Sequence, residues 1–188
     1  MNKEKLRQKA KNIKLLAMDV DGVLTDGSII LMASGEEVKI WNAKDRLGIF
    51  IARNAGALKF AWISGRSSRQ VSERAKELKI DCLYMGTMGK KKAFYGILKK
   101  LKLKAEEAAY IGDDLIDIPV MKEAGFSACP GDACGEAKQC ADYVTAAVGG
   151  RGVLREVIEV LLKSKGIWEK SYMKFLEDKA RPGAAGRN

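Results

Sequence analysis

Three short polar clusters carry residue types that could do chemistry together: Asp19 with Asp21, Ser64 with Gly65, and Asp113 with Asp114 and Asp117. Carboxylates in such a set can hold a hard cation, attack an electrophile, or move a proton. The chain has no histidine, and none of its four cysteines forms a C-x-x-C. A mixed cysteine–histidine zinc site is excluded, and an all-cysteine site has no supporting spacing. Acid–base work therefore falls to carboxylates, lysines, tyrosines or cysteines, and the metal that suits the carboxylates is an oxygen-ligated ion such as Mg²⁺. Asp19-x-Asp21-Gly22 could also open a calcium loop. That loop needs a ligand at its fifth position and glycine at its sixth, where this chain has Val23 and Leu24, so the calcium reading fails.

Position turns these clusters into a candidate site. Ile13 to Met18, Leu58 to Ile63 and Ala108 to Ile111 are short apolar runs, and each ends directly before one of the clusters. Such runs predict buried strands. Helical spacing lies between them. Leu47, Phe50 and Ile51 share a face, as do Val71, Ala75 and Leu78, then Phe94, Ile97, Leu98 and Leu101, and the stripe from Val153 to Leu162. Strand–helix alternation predicts an α/β fold with a mostly parallel sheet, in which ligands bind beyond the carboxyl ends of the strands. Ser28 to Met32 and Val38 to Trp41, around Gly35, predict a β-hairpin.

The bulk properties bound the rest. A chain of 188 residues fits one domain. The apolar runs are too short to span a bilayer, and Met1 to Lys14 lacks the apolar stretch of a signal peptide, so the expectation is a cytoplasmic protein with no membrane partner. The four cysteines read as reduced thiols. The net charge of +10 suits phosphates or nucleic acid, but no aromatic interleaving forms a base-stacking platform. The expected reading is a solvated lysine-rich surface and no nucleic-acid partner.

The clusters also match a known pattern. Asp19 to Gly27 (DVDGVLTDG) resembles the first motif of the haloacid dehalogenase-like (HAD) superfamily. Ser64-Gly65-Arg66 resembles the second, Lys90 the third, and Gly112-Asp113-Asp114-x-x-Asp117 the fourth. The likeness runs from about Lys14 to Leu162. It implies a three-layer Rossmann-like HAD fold and a Mg²⁺-dependent phosphatase. By resemblance, Asp19 is the nucleophile that forms an aspartyl-phosphate, and Asp21 is the general acid and then base. Asp19, Asp113 and the backbone carbonyl of Asp21 hold the metal. Ser64, Gly65 and Lys90 bind the phosphoryl group. Asp114 and Asp117 either orient the metal's surroundings or cap the next helix.

The gaps between the motifs are short. Asp21 to Ser64 has room for the hairpin and one helix–strand unit, and Ser64 to Lys90 for one helix and one strand. Neither holds a cap domain. An uncapped site is wet, which weakens its electrostatics, so a neighbouring subunit or a macromolecular substrate must close it. The first motif, the hairpin, Trp41 to Asp45, Tyr110 to Pro119 and Gly149 to Glu156 together resemble the capless 3-deoxy-D-manno-octulosonate 8-phosphate (KDO 8-phosphate) phosphatases. That resemblance implies a sugar-acid phosphate substrate, a place in lipopolysaccharide precursor synthesis, and a homotetramer formed through the hairpin. It places substrate contacts at Asn42, Ala43, Lys44, Asp45, Arg46, Arg66 and Arg74, with Arg74 open to a surface-helix role instead. It leaves the tail, 181–188, either flexible or covering a neighbour's site, after one domain over 1–180 with a core of about 13–163 and a hairpin flap of about 28–41. Arg46 stands where that family usually has glycine, Phe50 where it has a basic residue, and Cys134 where it often has histidine. A nonulosonic acid 9-phosphate is the alternative substrate. A non-catalytic anion-binding module is the alternative of a different class.

Overall fold

The structure is a computed structural model and describes residues 2–180. In chain order the elements begin with α1 (Lys3–Lys11) and β1 (Leu15–Met18), then the hairpin strands β2 (Ile30–Leu31) and β3 (Glu37–Val38), and α2 (Ala43–Asn54). They continue with β4 (Lys59–Ile63), α3 (Arg69–Glu77), β5 (Cys82–Tyr84), α4 (Lys90–Leu101) and β6 (Ala108–Ile111). The chain then forms α5 (Ile118–Met121), β7 (Phe126–Cys129), α6 (Gly135–Cys140), β8 (Tyr143–Val144), α7 (Val153–Ser164) and α8 (Trp168–Ala180).

The main sheet is six-stranded and parallel throughout, in the order β5-β4-β1-β6-β7-β8. β1 lies in the middle, with Leu15 paired to Lys59 on one side and to Ala108 on the other. Side chains alternate across a strand, so each strand feeds two cores. Leu16, Met18, Phe60 and Trp62 face the core shared with α1, α2, α3 and α7. Leu15, Ala17, Ala61, Ile63 and Tyr110 face the core shared with α4, α5 and α6. Both faces are covered, which is why these strands read as unbroken apolar runs and not as alternating ones. This is the expected three-layer α/β fold.

Three strands fall where the apolar runs predict them, within two residues. The hairpin is shorter than expected, because only Ile30–Leu31 and Glu37–Val38 pair. It stands off the main sheet as a two-stranded flap. Between β1 and β4 lie the flap and α2. Between β4 and α4 lie α3 and β5. Two helices flank the expected core. Ala10 of α1 is fully buried, and Trp168, Tyr172 and Phe175 of α8 pack against the main core. The tail, 181–188, lies outside the described residues. No helix among the described residues is long and apolar enough to cross a membrane.

Candidate active site

The site is assembled at the carboxyl ends of three adjacent strands. Asp19 directly follows β1, and its backbone N–H donates to the Ile111 carbonyl at the end of β6 (2.9 Å). Ser64 directly follows β4 and is buried. Its N–H donates to the Tyr84 carbonyl, and its Oγ accepts from the Arg66 N–H (3.1 Å). Asp113 follows β6 after one glycine. Parallel pairing thus brings residues far apart in sequence to one edge, as the switch-point rule requires.

Close packing holds the loops that carry these groups. Gly22 has φ +96°, and a Cβ there would lie 2.1 Å from Asp113 Oδ2. Only glycine lets the first loop approach Asp113 in that conformation. A Cβ on Gly149 would lie 2.3 Å from the Gly22 carbonyl oxygen. The Gly149-Gly150 pair therefore braces the back of the first loop, and the Gly150 N–H donates to the Val23 carbonyl.

Lys90, the first residue of α4, is the electrostatic hub. Its side chain is 1% exposed, and its Nζ lies 2.8 Å from an oxygen of Asp19 and 2.8 Å from one of Asp117. Burial pulls the Lys90 pKa down, but the charges of Asp19 and Asp117 outweigh it and hold the ammonium above its ordinary value. Asp117 is fully buried. Its Oδ1 also accepts from the Tyr110 hydroxyl (2.6 Å), and its Oδ2 accepts from the N–H groups of Asp113 and Asp114. Both Asp117 oxygens are thus engaged in holding Lys90 and the fourth loop. Asp114 is exposed and caps the short turn at Leu115–Asp117 by accepting from the Leu115 N–H (2.7 Å).

Oxygens of Asp19, Asp113 and Asp117 lie within 4.8 Å of one another. Burial raises the carboxyl pKa of both Asp19 and Asp113, and the mutual repulsion of the three acids raises them further, against the lowering effect of Lys90. One lysine cannot balance three carboxylates. Asp113 Oδ1 is buried without a hydrogen-bond partner among the described residues. A hard, all-oxygen donor set, an excess of negative charge and an orphaned buried oxygen all fit a divalent cation such as Mg²⁺.

Other expected site residues make contacts of their own outside the Asp19–Asp113–Asp117 group. Asn42 caps α2 through the Lys44 N–H (2.8 Å) and reaches the Gly150 carbonyl (3.2 Å). Ala43 and Lys44 are exposed at the start of that helix. Asp45 is buried, and its Oδ1 accepts from the Arg155 N–H (2.8 Å) in the first turn of α7. Arg46 and Arg74 both pair with Glu77. Arg46 also lies over the Phe50 ring (4.7 Å), and Arg74 over Trp41 (5.9 Å). Asn42, Asp45, Arg46 and Arg74 line a cavity of about 10 Å³ against Trp41 and Trp62, room for about one water. Asp45 is thus held in the protein's own contacts and Arg74 mostly so, while Arg46 stays exposed. Arg66 is exposed and reaches Glu37 on the flap (3.3 Å).

Two residues at the site escape a reading of the sequence. Tyr110 passes for a core strand residue, yet its hydroxyl supports Asp117. Lys39, just after β3, has a side chain 1% exposed, paired with Asp21 Oδ1 and with Glu37 Oε1 (3.2 Å). No sequence signal marks Lys39, because alternation with Val38 and Ile40 assigns a lysine to the solvent face, whereas the structure turns those two neighbours outward.

Comparison with known proteins agrees with this geometry. A haloacid dehalogenase-like hydrolase family profile matches residues 82–157. The chain is 46% identical over 158 residues to the 3-deoxy-D-manno-octulosonate 8-phosphate phosphatase KdsC of Escherichia coli K12, covering 84% of each. The crystal structure of that phosphatase from Moraxella catarrhalis, in complex with magnesium, phosphate and KDO, superposes with a TM-score of 0.89 at 41% identity, covering 93% of this chain and 99% of that one. The cobalt-bound phosphatase of Haemophilus influenzae gives 0.84 at 35% identity, covering 90% and 99%.

Proposed function

Since the chain belongs to the 3-deoxy-D-manno-octulosonate 8-phosphate phosphatases of the haloacid dehalogenase-like superfamily, we propose that it hydrolyses KDO 8-phosphate to KDO and inorganic phosphate, with the roles of its residues as follows. Asp19 attacks phosphorus and forms an aspartyl-phosphate as the bond to the sugar oxygen breaks. Asp21 gives its proton to the leaving alkoxide. It then takes one from the water that cleaves the acyl-phosphate, which regenerates Asp19 and releases phosphate. The Ser64 hydroxyl, the Gly65 N–H and the Lys90 ammonium hold the phosphoryl oxygens. Asp19, Asp113 and the Asp21 carbonyl would hold Mg²⁺, which when bound cancels the repulsion between carboxylate and phosphate. Asp117 fixes Lys90, and Asp114 fixes the loop.

One observation carries this reading: a buried Asp19 and Lys90 at 2.8 Å beside an Asp113 oxygen that has no partner of its own. A nucleophile, its charge-balancing lysine and a metal-ready oxygen are what phosphoryl transfer through an aspartate requires. Purified protein should release phosphate from KDO 8-phosphate with Mg²⁺ and stop with chelator. Asp19→Asn should abolish turnover, and an unchanged rate would sink the mechanism. A nonulosonic acid 9-phosphate assayed beside it, by kcat/KM, decides the sugar.

The quaternary state belongs to the same proposal. Ile29, Leu31, Met32 and Ile40 of the flap are at least half exposed, and apolar clusters of this kind mark contact surfaces. We read the flap as the contact of a homotetramer. We place the enzyme in the cytoplasm, where it supplies KDO for lipopolysaccharide. Sedimentation of the wild type against Leu31→Lys tests the assembly, and a wild-type monomer would refute it.

A further inference from the structure

The flap is built inside out. Val38 is 38% exposed and Ile40 65% exposed, while the Lys39 side chain between them is 1% exposed. A strand turns successive side chains to opposite faces, so burying Lys39 obliges its apolar neighbours to face outward. A buried ammonium is costly unless paired. Lys39 is paired twice, with Asp21 Oδ1 and with Glu37 Oε1 (3.2 Å). Glu37 Oε1 in turn accepts from Arg66 Nη2 (3.3 Å), and Glu37 also bonds the Ser68 side chain, an interaction that heads the causes holding its carboxyl below the usual range. The chain Asp21–Lys39–Glu37–Arg66 thus ties the first catalytic loop, through the flap, to the loop after Ser64.

We propose that Lys39 is a positioning residue for the reaction, holding Asp21 Oδ1 so that Oδ2 faces the leaving oxygen. The role rests on the reading of Asp21 as general acid. The flap then does more than offer an assembly surface: its inward lysine sets the aim of a side chain on the opposite loop. An acid aimed at the leaving oxygen matters most when that oxygen leaves as a basic alkoxide, as from a sugar phosphate. It matters little when a stable aryloxide leaves.

The test compares kcat/KM, which reports steps up to departure of the first product, on KDO 8-phosphate and on p-nitrophenyl phosphate. The proteins are wild type, Asp21→Asn, Lys39→Met, Lys39→Arg and Glu37→Gln, each with Mg²⁺. Asp21→Asn should lose on the order of 10²-fold on the sugar phosphate and only a few-fold on the aryl ester. Lys39→Met should show the same selective loss, roughly 10-fold or more on the sugar phosphate. Lys39→Arg should recover most of it. Glu37→Gln, which leaves the Lys39–Asp21 pair intact, should show a smaller loss of the same selectivity. If Asp21→Asn discriminates between the substrates while Lys39→Met loses equally on both or not at all, the positioning role is refuted and the assignment of Asp21 stands. If Asp21→Asn does not discriminate, the assignment of Asp21 itself falls. A structural role for Lys39 would lower both rates together, so the selectivity separates it from misfolding. Should Lys39→Met not fold, Lys39→Gln, which also removes the charge paired with Asp21, takes its place, and a substrate ratio equal to wild type in that variant overturns the proposal.

Discussion

Replacing Lys90 by methionine keeps most of the side chain's volume and removes its charge from between Asp19 and Asp117. The carboxylate oxygens of the cluster lie within 4.8 Å. Two unit charges at that distance repel by roughly 3.5 kcal/mol at an effective dielectric near 20. The protein can escape by protonating one of them, which at pH 7 costs about 4 kcal/mol relative to the unfolded chain, where a carboxyl has its ordinary pKa. The two routes cost nearly the same, so the metal-free variant should lose about 3–4 kcal/mol, in the range seen when one partner of a buried pair is removed. For a domain of this size that lowers Tm by roughly 10 °C. The loss should fall with pH, because at pH 5 the escaping proton costs only about 1.5 kcal/mol, and the gap in Tm should then shrink to a few degrees. Wild-type Lys90, raised above its ordinary pKa, stays charged throughout this window. The assay is thermal unfolding of both proteins in chelator at pH 7.5 and pH 5, then with Mg²⁺. The cation should stabilise the variant more than the wild type, since it supplies the missing positive charge. A gap under about 3 °C at pH 7.5, or a gap equal at both pH values, would refute the charge-balance argument.

Asp45 is buried, and burial pushes its carboxyl pKa up to about 6, against an ordinary 3.8. The folded state therefore holds its proton more tightly, so this contribution to stability is full below pH 4 and is lost as pH rises through 6. Asp45→Asn keeps an acceptor for the Arg155 N–H and removes that loss, about 3 kcal/mol. It should melt no lower than wild type at pH 7.5, with its advantage vanishing toward pH 4 in a pH series of melting curves. Tyr110→Phe removes a buried hydrogen bond to Asp117 and should cost about 1–2 kcal/mol by denaturant titration. Burial and the Asp117 charge hold the Tyr110 hydroxyl neutral, so that cost should be the same at pH 6 and pH 9. Gly149→Ala places a Cβ 2.3 Å from the Gly22 oxygen. It should displace the first loop, lowering both Tm and the Mg²⁺-dependent shift in Tm. A variant with wild-type Mg²⁺ response would show that Gly149 does not brace the site.

The strands that carry the site were legible because both faces of the sheet are covered, which makes them uninterrupted apolar runs ending in polar clusters. Asp19, Ser64, Lys90 and Asp113 follow from those run ends and the motif order. Lys39 was not legible, since a charged residue between Val38 and Ile40 reads as the solvent side of a strand. The flap reverses that because its inward face meets Asp21 and not a core. Asp45, Arg46 and Arg74 came from resemblance alone, and no pattern in the sequence announces that Glu77 draws both arginines. α8 lay beyond the expected core, although Trp168, Tyr172 and Phe175 fall at the i, i+4 and i+7 positions of a buried stripe. The Tyr110 hydroxyl is invisible to periodicity, because a residue can fill a core and donate from its tip at once.

The middle position of β1 also governs how the protein comes into being. The strand bearing Asp19 emerges early in synthesis, yet Leu15 must wait for Lys59 on one side and Ala108 on the other. Until then its backbone offers two bare edges, and its apolar residues lack both covering layers. Such long-range parallel pairing is slow to form and exposes a nascent chain to aggregation. Gly149-Gly150 and α7 arrive late, and they brace the first loop and fill much of the larger core. A chain interrupted before Ala108 should therefore be sticky as well as inactive, and the appearance of a working nucleophile would report that synthesis had passed the far end of the fold.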